Sequence, residues 1–176
     1  LSKEIKIFDN NDFKLDTIID ATAGIGGNVL SFAKYFSKVY AIEIDEKRFE
    51  YLENNINNYS FENIKSIHGD CIKIIENGLK EIDTNPDAIF FDPPWGGPSY
   101  KYIKDVELEL SKNKLIDIIE LLYNIKKIKL VVLKIPFNYN FLDLVNNCNE
   151  KKLIKQFNVI KVKNIIFLFL KLDIIN

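Results

Sequence analysis

Thr17-Ile-Ile-Asp20-Ala-Thr-Ala-Gly24-Ile-Gly-Gly27-Asn28 decides the architecture. Residues 17–20 read as a short apolar strand, 21–27 as a glycine-rich loop, and 28–36 as a helix with Val29, Leu30, Phe32, Ala33 and Phe36 inward. The alternation continues downstream. Further strands are predicted at 39–43, 64–68, 88–91, 130–134, 157–162 and 165–172. Further helices are predicted at 46–57, 71–75, 115–125 and 141–145, the first with Phe49, Leu52 and Ile56 at helical spacing.

Strand and helix in turn predict an α/β fold, a mostly parallel sheet of seven strands with helices on both faces. The strands are continuously apolar, which fits burial on both sides. Lys163-Asn164 separates the last two strands, so the chain is expected to end in an antiparallel hairpin. No repeat, low-complexity tract or linker interrupts the pattern, and one domain over 1–176 is expected, with 1–16 as a short N-terminal segment. Residues 92–113 form the one long stretch without periodicity. Long loops inside compact domains usually carry function.

Composition bounds the rest. In 176 residues, 47% are hydrophobic and 28% charged, as in ordinary globular folds and unlike disordered chains. No apolar run approaches the ~18 residues of a membrane span, so no membrane partner is expected. Two cysteines, Cys71 and Cys148, are too few for a disulfide framework or a zinc site, and no metal is expected. Leu1-Ser-Lys-Glu4 does not open a signal peptide. An intracellular, reducing location (nucleus or cytoplasm) and a monomer are the expectations. The chain lacks Met, so sequence upstream of Leu1 is expected as well.

Charge is uneven. Residues 1–111 carry 12 basic and 20 acidic groups, and residues 112–176 carry 12 basic and 5 acidic. A basic C-terminal third can attract a polyanion such as RNA, although a solvated lysine surface is the more common reason. Arg48 is the single arginine among 24 basic residues, so bidentate forks on phosphate are scarce.

In open α/β sheets, ligands bind beyond the carboxyl ends of the strands. Four features fall there. The Asp20–Asn28 glycine loop lets backbone approach a ligand, although such turns also serve as plain strand-to-helix connections. Glu43 ends the second strand, about 20 residues on, where an acid can accept from a ribose diol. Asp70 follows the third strand and can accept from an exocyclic amine, or cap the next helix. The joint spacing describes a nucleoside without phosphates. The fourth feature is Asp92-Pro-Pro-Trp95-Gly-Gly-Pro-Ser99-Tyr100. Its prolines hold a rigid backbone that can present carbonyls and the Asp92 carboxylate to an amino group, and Trp95 offers a face for a base.

Together these residues resemble class I S-adenosylmethionine-dependent methyltransferases. Within them, the run from Asp92 to Tyr100 resembles the trimethylguanosine synthase family, the RNA cap guanine-N2 methyltransferases. The resemblance implies a Rossmann-like fold, S-adenosylmethionine as cofactor and 7-methylguanosine-capped RNA as partner. It implies that Asp20, Gly24 and Gly26 line the methionine part of the cofactor, Glu43 its ribose and Asp70 its adenine. Ala21, Thr22, Ile44, Cys71 and Asp92 join them as cofactor-binding positions. Asp92 and the Pro93 carbonyl would orient guanine N2, and Trp95 would stack on 7-methylguanine, these three forming the catalytic set. Ser99 and Tyr100 would reach the cap phosphates.

Two departures stand out. The family's helical extension before the glycine loop has only residues 1–16 as its counterpart. Where the family has Leu-Pro-Arg-Asn, this chain has Ile135-Pro136-Phe137-Asn138, so its phosphate contact is expected from lysines, Lys134 being nearest. Such reduction, with Ile-, Asn- and Lys-rich usage, implies a viral or protist member. The alternatives are an N6-adenine methyltransferase, a ribosomal guanine-N2 methyltransferase and a non-catalytic cap-binding module. Motif order, the absence of residues for a target-recognition domain, Trp at position 95 and the intact Gly24, Gly26, Glu43 and Asp70 disfavour them. His68 is expected as a core or edge residue, not a base.

Overall fold

β1 (Thr17–Asp20) is buried at all four positions, and everything around it is arranged to cover it. The computed structural model describes residues 1–6 and 15–174. Most of the N-terminal segment read as 1–16 therefore lies outside the described residues; its first turn is helix α1 (Ser2–Lys6), anchored by fully buried Ile5 and by a 2.7 Å hydroxyl contact from Ser2 to Ser31. The chain divides into two compact units, Leu1–Phe90 and Phe91–Asn176.

The first unit continues from β1 through α2 (Gly27–Phe32), β2 (Lys38–Glu43), α3 (Glu46–Tyr59), β3 (Ile64–His68) and α4 (Cys71–Glu76) to β4 (Ala88–Phe91). β1 pairs in parallel with β2 and with β4, and β2 pairs in parallel with β3. β1 and β4 have no exposed position, whereas β3 is only half-buried, as befits a sheet edge. His68 is exposed on that edge, stacked on Phe49 with centroids 5.1 Å apart. α2 is shorter than the apolar spacing predicts: it stops at Phe32 and the chain turns through Tyr35. The Phe36 amide still donates to Phe32, which keeps Val29, Phe32, Ala33 and Phe36 buried as expected.

The second unit holds a short 3₁₀ turn (Pro98–Tyr102), a small antiparallel ribbon of β5 (Glu109–Leu110) and β6 (Asn113–Lys114), α5 (Leu115–Ile125), β7 (Leu130–Pro136), α6 (Phe141–Glu150), β8 (Ile154–Val162) and β9 (Ile165–Leu172). The stretch 92–113 is thus less irregular than its sequence implies. Its ribbon turns on Ser111 and Lys112 in the left-handed region, φ 49° and 68°, and Ser-Lys is not a pair that announces such a turn. β9 pairs antiparallel with β7 and with β8, and the expected hairpin turns at Lys163, φ 53°. β8 begins at Ile154, earlier than expected, because a register shift between Ile154 and Gln156 breaks the alternation by which a strand is read. Lysines at 155 and 161 and this bulge protect an exposed edge strand from pairing with other chains.

Within the first unit the hydrogen-bonded order is β3-β2-β1-β4, and within the second it is β7-β9-β8. This is the mostly parallel seven-stranded arrangement with an antiparallel C-terminal hairpin that the sequence predicts. No helix among the described residues is long and apolar enough to cross a membrane.

The turn from β1 into α2 depends on Gly26. It has φ 99°, and a Cβ there would lie 2.9 Å from Leu52 Cδ1, in a fully buried side chain. Gly24 has φ 57° and open space where its Cβ would point. Gly26→Ala should therefore cost about 2–3 kcal/mol of stability. Gly24→Ala should cost only about 1 kcal/mol. Urea unfolding of both variants checks this; equal costs would show that the Leu52 contact and the wider φ do not matter.

Candidate active site

In the first unit, the loop after β1 is tied to both neighbouring strands. The Ala21 amide donates to the Phe90 carbonyl and the Ala23 amide to the Ile42 carbonyl, each at 2.9 Å. Asp20 is fully buried beneath this loop and accepts from the Thr22 amide at 3.2 Å. Glu43, 6% exposed, accepts from the Gly24 amide at 2.7 Å and, through its other oxygen, from the Asp45 amide at 2.8 Å. The two amide hydrogens replace part of the water that a buried carboxylate gives up. Each of its oxygens retains one lone pair, enough for the two hydroxyls of a diol.

Asp45 caps α3 by accepting from the Arg48 amide, and Asp70 caps α4 by accepting from the Ile72 amide, both at 2.9 Å. Asp70 is thus the helix cap that its position allows, with its carboxylate at the carboxyl end of the strand pair β2–β3. Ile44, 61% exposed between Glu43 and Asp45, offers an apolar side chain to a ligand. Cys71 is buried, and burial pushes its thiol up to about 12, so it is neutral at physiological pH and inert as a nucleophile. The first unit therefore brings together Ala21, Thr22, Gly24, Gly26, Glu43, Ile44, Asp70 and Cys71 on loops that leave β1, β2 and β3, with Asp20 shaping the loop from below.

In the second unit, Asp92, Pro93, Trp95, Tyr100, Lys101 and Lys134, with Gly97 and Pro98, line an open cavity of about 530 Å³. Pro93 is buried and Pro94 exposed, so the Pro-Pro step carries the chain from the strand to the surface. Trp95 meets Tyr100 edge to face, with centroids 5.1 Å apart and planes at 76°. Its indole N–H is buried without an acceptor among the described residues. Lys134 Nζ donates to Asp92 Oδ2 at 2.5 Å and lies 5.7 Å from the Trp95 ring centroid. Burial raises the Asp92 carboxyl above the usual range, and Lys134, by hydrogen bond and charge, lowers it but does not cancel the shift. Lys101 Nζ stands 6.0 Å from the Tyr100 centroid.

Of the residues expected on the acceptor side, Asp92, Pro93, Trp95, Tyr100 and Lys134 converge on this cavity. Ser99 does not line it: the side chain is exposed and its hydroxyl donates to the Gly96 carbonyl at 3.3 Å. Phe137 is also outside the lining and 42% exposed. Two contributors escape the sequence reading. Lys101 adds a second cation to the cavity, and Asn138 anchors its wall. The Asn138 side-chain nitrogen donates to the carbonyls of Tyr100, 2.8 Å, and Ile103, 2.6 Å, while the Asn138 backbone carbonyl accepts from the Val106 amide at 3.1 Å. Asn138 does stand in the Ile-Pro-Phe-Asn run, but nothing in the sequence names its partners. No group of three His, Cys, Asp or Glu side chains among the described residues could hold a metal ion.

Known proteins resemble this chain in sequence and in fold. A family model for the RNA cap guanine-N2 methyltransferases matches residues 15–171. Uncharacterized protein L320 of Acanthamoeba polyphaga mimivirus is 40% identical over 124 residues, 70% of this chain and 47% of that protein. The trimethylguanosine synthase of Schizosaccharomyces pombe is 37% identical over 87 residues, 48% of this chain and 36% of the enzyme. The chain thus spans less than half the length of these curated relatives. Among solved structures, the METTL16 MTase domain superposes with a TM-score of 0.71 at 16% identity, covering 97% of this chain and 65% of that one. The Thermus thermophilus 16S rRNA N2 G1207 methyltransferase, solved with AdoMet and guanosine, gives 0.64 at 16% identity, covering 89% and 38%. Those two likenesses are of fold; the extent of the family match settles membership, and this chain belongs to the RNA cap guanine-N2 methyltransferase family.

Proposed function

We propose that the chain transfers a methyl group from S-adenosylmethionine to the N2 amine of 7-methylguanosine at an RNA 5′ cap. The observation that carries this reading is the cavity in which the Asp92 carboxylate and the Trp95 face stand together behind Pro93. The family match and the kinship to a trimethylguanosine synthase support it.

The first unit's residues fit the donor. The lone pairs left on Glu43 suit its ribose diol, Asp70 its adenine amine, and the open space above Gly24 its methionine part. When bound, the donor supplies an electrophilic methyl on a good leaving group. The work of this chain is then positioning. Asp92 and the Pro93 carbonyl accept the two N2 hydrogens, which aims the nitrogen lone pair and stabilises the positive charge that grows there. The alkylated amine is acidic and loses its proton to water, so no strong base is needed, and the neutral Cys71 and edge-bound His68 have no part. Trp95 stacks on the base. A cationic 7-methylguanine gains a cation–π contribution of ~1 kcal/mol over neutral guanine.

Labelled methyl transfer to 7-methyl-GTP, GTP and an adenine-containing oligonucleotide tests the reading. Transfer should be strongest to 7-methyl-GTP, with 2,7-dimethyl- and, on longer incubation, 2,2,7-trimethyl-products by mass spectrometry. Equal transfer to GTP, or preference for adenine, would reject cap specificity. Trp95→Ala should weaken 7-methyl-GTP binding by about 1–3 kcal/mol, roughly tenfold to hundredfold, and Trp95→Phe should recover part of it.

The pH dependence follows from Asp92. The ionised carboxylate is the acceptor for the amine, and its pKa is raised. The protonated, inactive form therefore persists to higher pH than for an ordinary aspartate. The rate should fall as pH drops through this raised value, giving an acid limb above the usual carboxylate range. Asp92→Asn cannot ionise and should lose about 10²–10³ in rate together with the limb. A limb that survives in Asp92→Asn would assign it to another group.

A further inference from the structure

The cavity at Asp92 already contains a cation. Lys134 sits 2.5 Å from Asp92 Oδ2 and 5.7 Å from the Trp95 centroid, and the two side chains are 24% and 26% exposed. One ammonium thus occupies the carboxylate that would receive the amine and stands over the ring that would receive the base. Its expected role as a phosphate contact is incomplete, because in this state its charge is committed to Asp92.

Resting on the cap reading of this site, we propose that Lys134 couples recognition of the base charge to recognition of the phosphates. With the site empty, Lys134 neutralises Asp92. A base that carries its own positive charge can take over that duty, and Lys134 is released. Its four-carbon stem then lets the ammonium pair with the phosphate chain of the same ligand. The charges are conserved in the exchange: Asp92–Lys134 becomes Asp92–base and Lys134–phosphate.

A neutral base cannot complete this exchange. If guanine binds and Lys134 moves to a phosphate, the half-buried Asp92 loses the ammonium it holds in the empty site and gains no charge in its place, which is costly. If Lys134 stays on Asp92, the phosphates lose it and the Trp95 face remains partly blocked. A cationic nucleoside fails in the other direction. It displaces Lys134 from Asp92 but offers no anion in return, so its charge yields little net gain. Only a ligand with both features, a cationic base and phosphates, satisfies all four groups. The site would therefore tell a capped RNA end from GTP and also from free 7-methylguanosine released by RNA breakdown.

Trp95 is the single tryptophan of the chain, so quenching of its fluorescence reports binding directly. Affinities for guanosine, 7-methylguanosine, GTP and 7-methyl-GTP are measured with the full chain and with Lys134→Met. In the unmodified chain, the preference for the 7-methyl base should be about tenfold larger between the nucleotides than between the nucleosides. In Lys134→Met the two preferences should become equal. The variant should also bind 7-methylguanosine more tightly, since its competitor is gone, and 7-methyl-GTP no more tightly than before. Equal preferences in the unmodified chain overturn the proposal, and they do so even if Lys134→Met fails to fold. Weaker binding of 7-methylguanosine to a folded Lys134→Met also overturns it, since the lysine would then be a structural support. Methyl transfer to 7-methyl-GTP separates the two readings: if it occurs without the coupling, Lys134 alone is misassigned; if neither occurs, the cap reading falls and takes this proposal with it.

Discussion

A single carboxylate organises the loops of the first unit. Glu43 is nearly buried, and a buried charge is tolerable only where hydrogen bonds replace water. Its two donors are the amides of Gly24 and Asp45. One belongs to the loop that follows β1 and the other to the cap of α3, so the same side chain holds the glycine loop against the end of β2 and fixes where α3 begins. The left-handed Gly24 and Gly26 are the backbone conditions for this. A side chain at Gly26 would press on Leu52, which α3 buries beneath the loop. Ligand-binding shape and helix packing here are consequences of one set of contacts.

The second unit solves a different problem: holding an aromatic face steady on an irregular segment. Two prolines fix the entry, Tyr100 packs against Trp95 with the ring planes near perpendicular, and Asn138 fastens the carbonyls of Tyr100 and Ile103. This is not an arrangement optimised for stability. The buried indole N–H finds no acceptor among the described residues, an arrangement that costs about 1–3 kcal/mol. A half-buried carboxylate is held with a pKa raised by the loss of water around it. Departures from local rules collect at functional sites, and here they collect around Trp95 and Asp92, the face and the carboxylate proposed to receive the base.

What the sequence makes legible follows from range. The seven strands and α5 are visible because buried central strands are apolar runs and amphipathic helices repeat locally. α5 spans the predicted residues, 115–125. The Asp92–Tyr100 run is legible because its residues are adjacent in the chain. The errors have local causes: the bulge near Ile154 breaks alternation, the Ser111-Lys112 turn lacks glycine or asparagine, and the early stop of α2 leaves its apolar spacing intact. The contacts that complete the site are of another kind. Asp92 meets Lys134 across 42 residues, and Asn138 meets Tyr100 across 38. Neither pair has a spacing signal, and both depend on where β7 lies in the second unit.

The poverty of arginine, which looks like a coding accident, has a chemical consequence at this site. A guanidinium beside Asp92 would fork onto both carboxylate oxygens and be hard to dislodge. It would also cover the oxygens that an incoming amine needs. An ammonium makes a single-point contact, here at Oδ2, and does not impose the two-oxygen geometry of a guanidinium. Its stem is flexible, and its binding to a carboxylate or a phosphate has no fixed geometry to satisfy. A chain with lysines in place of arginines therefore lacks rigid phosphate clamps but can hold cations that change partners. Lys101 and Lys134 supply the cations of this cavity. On the proposed cap reading, phosphate recognition would thus rest on exchangeable charges, sensitive to what else the ligand brings and above all to whether its base is itself a cation.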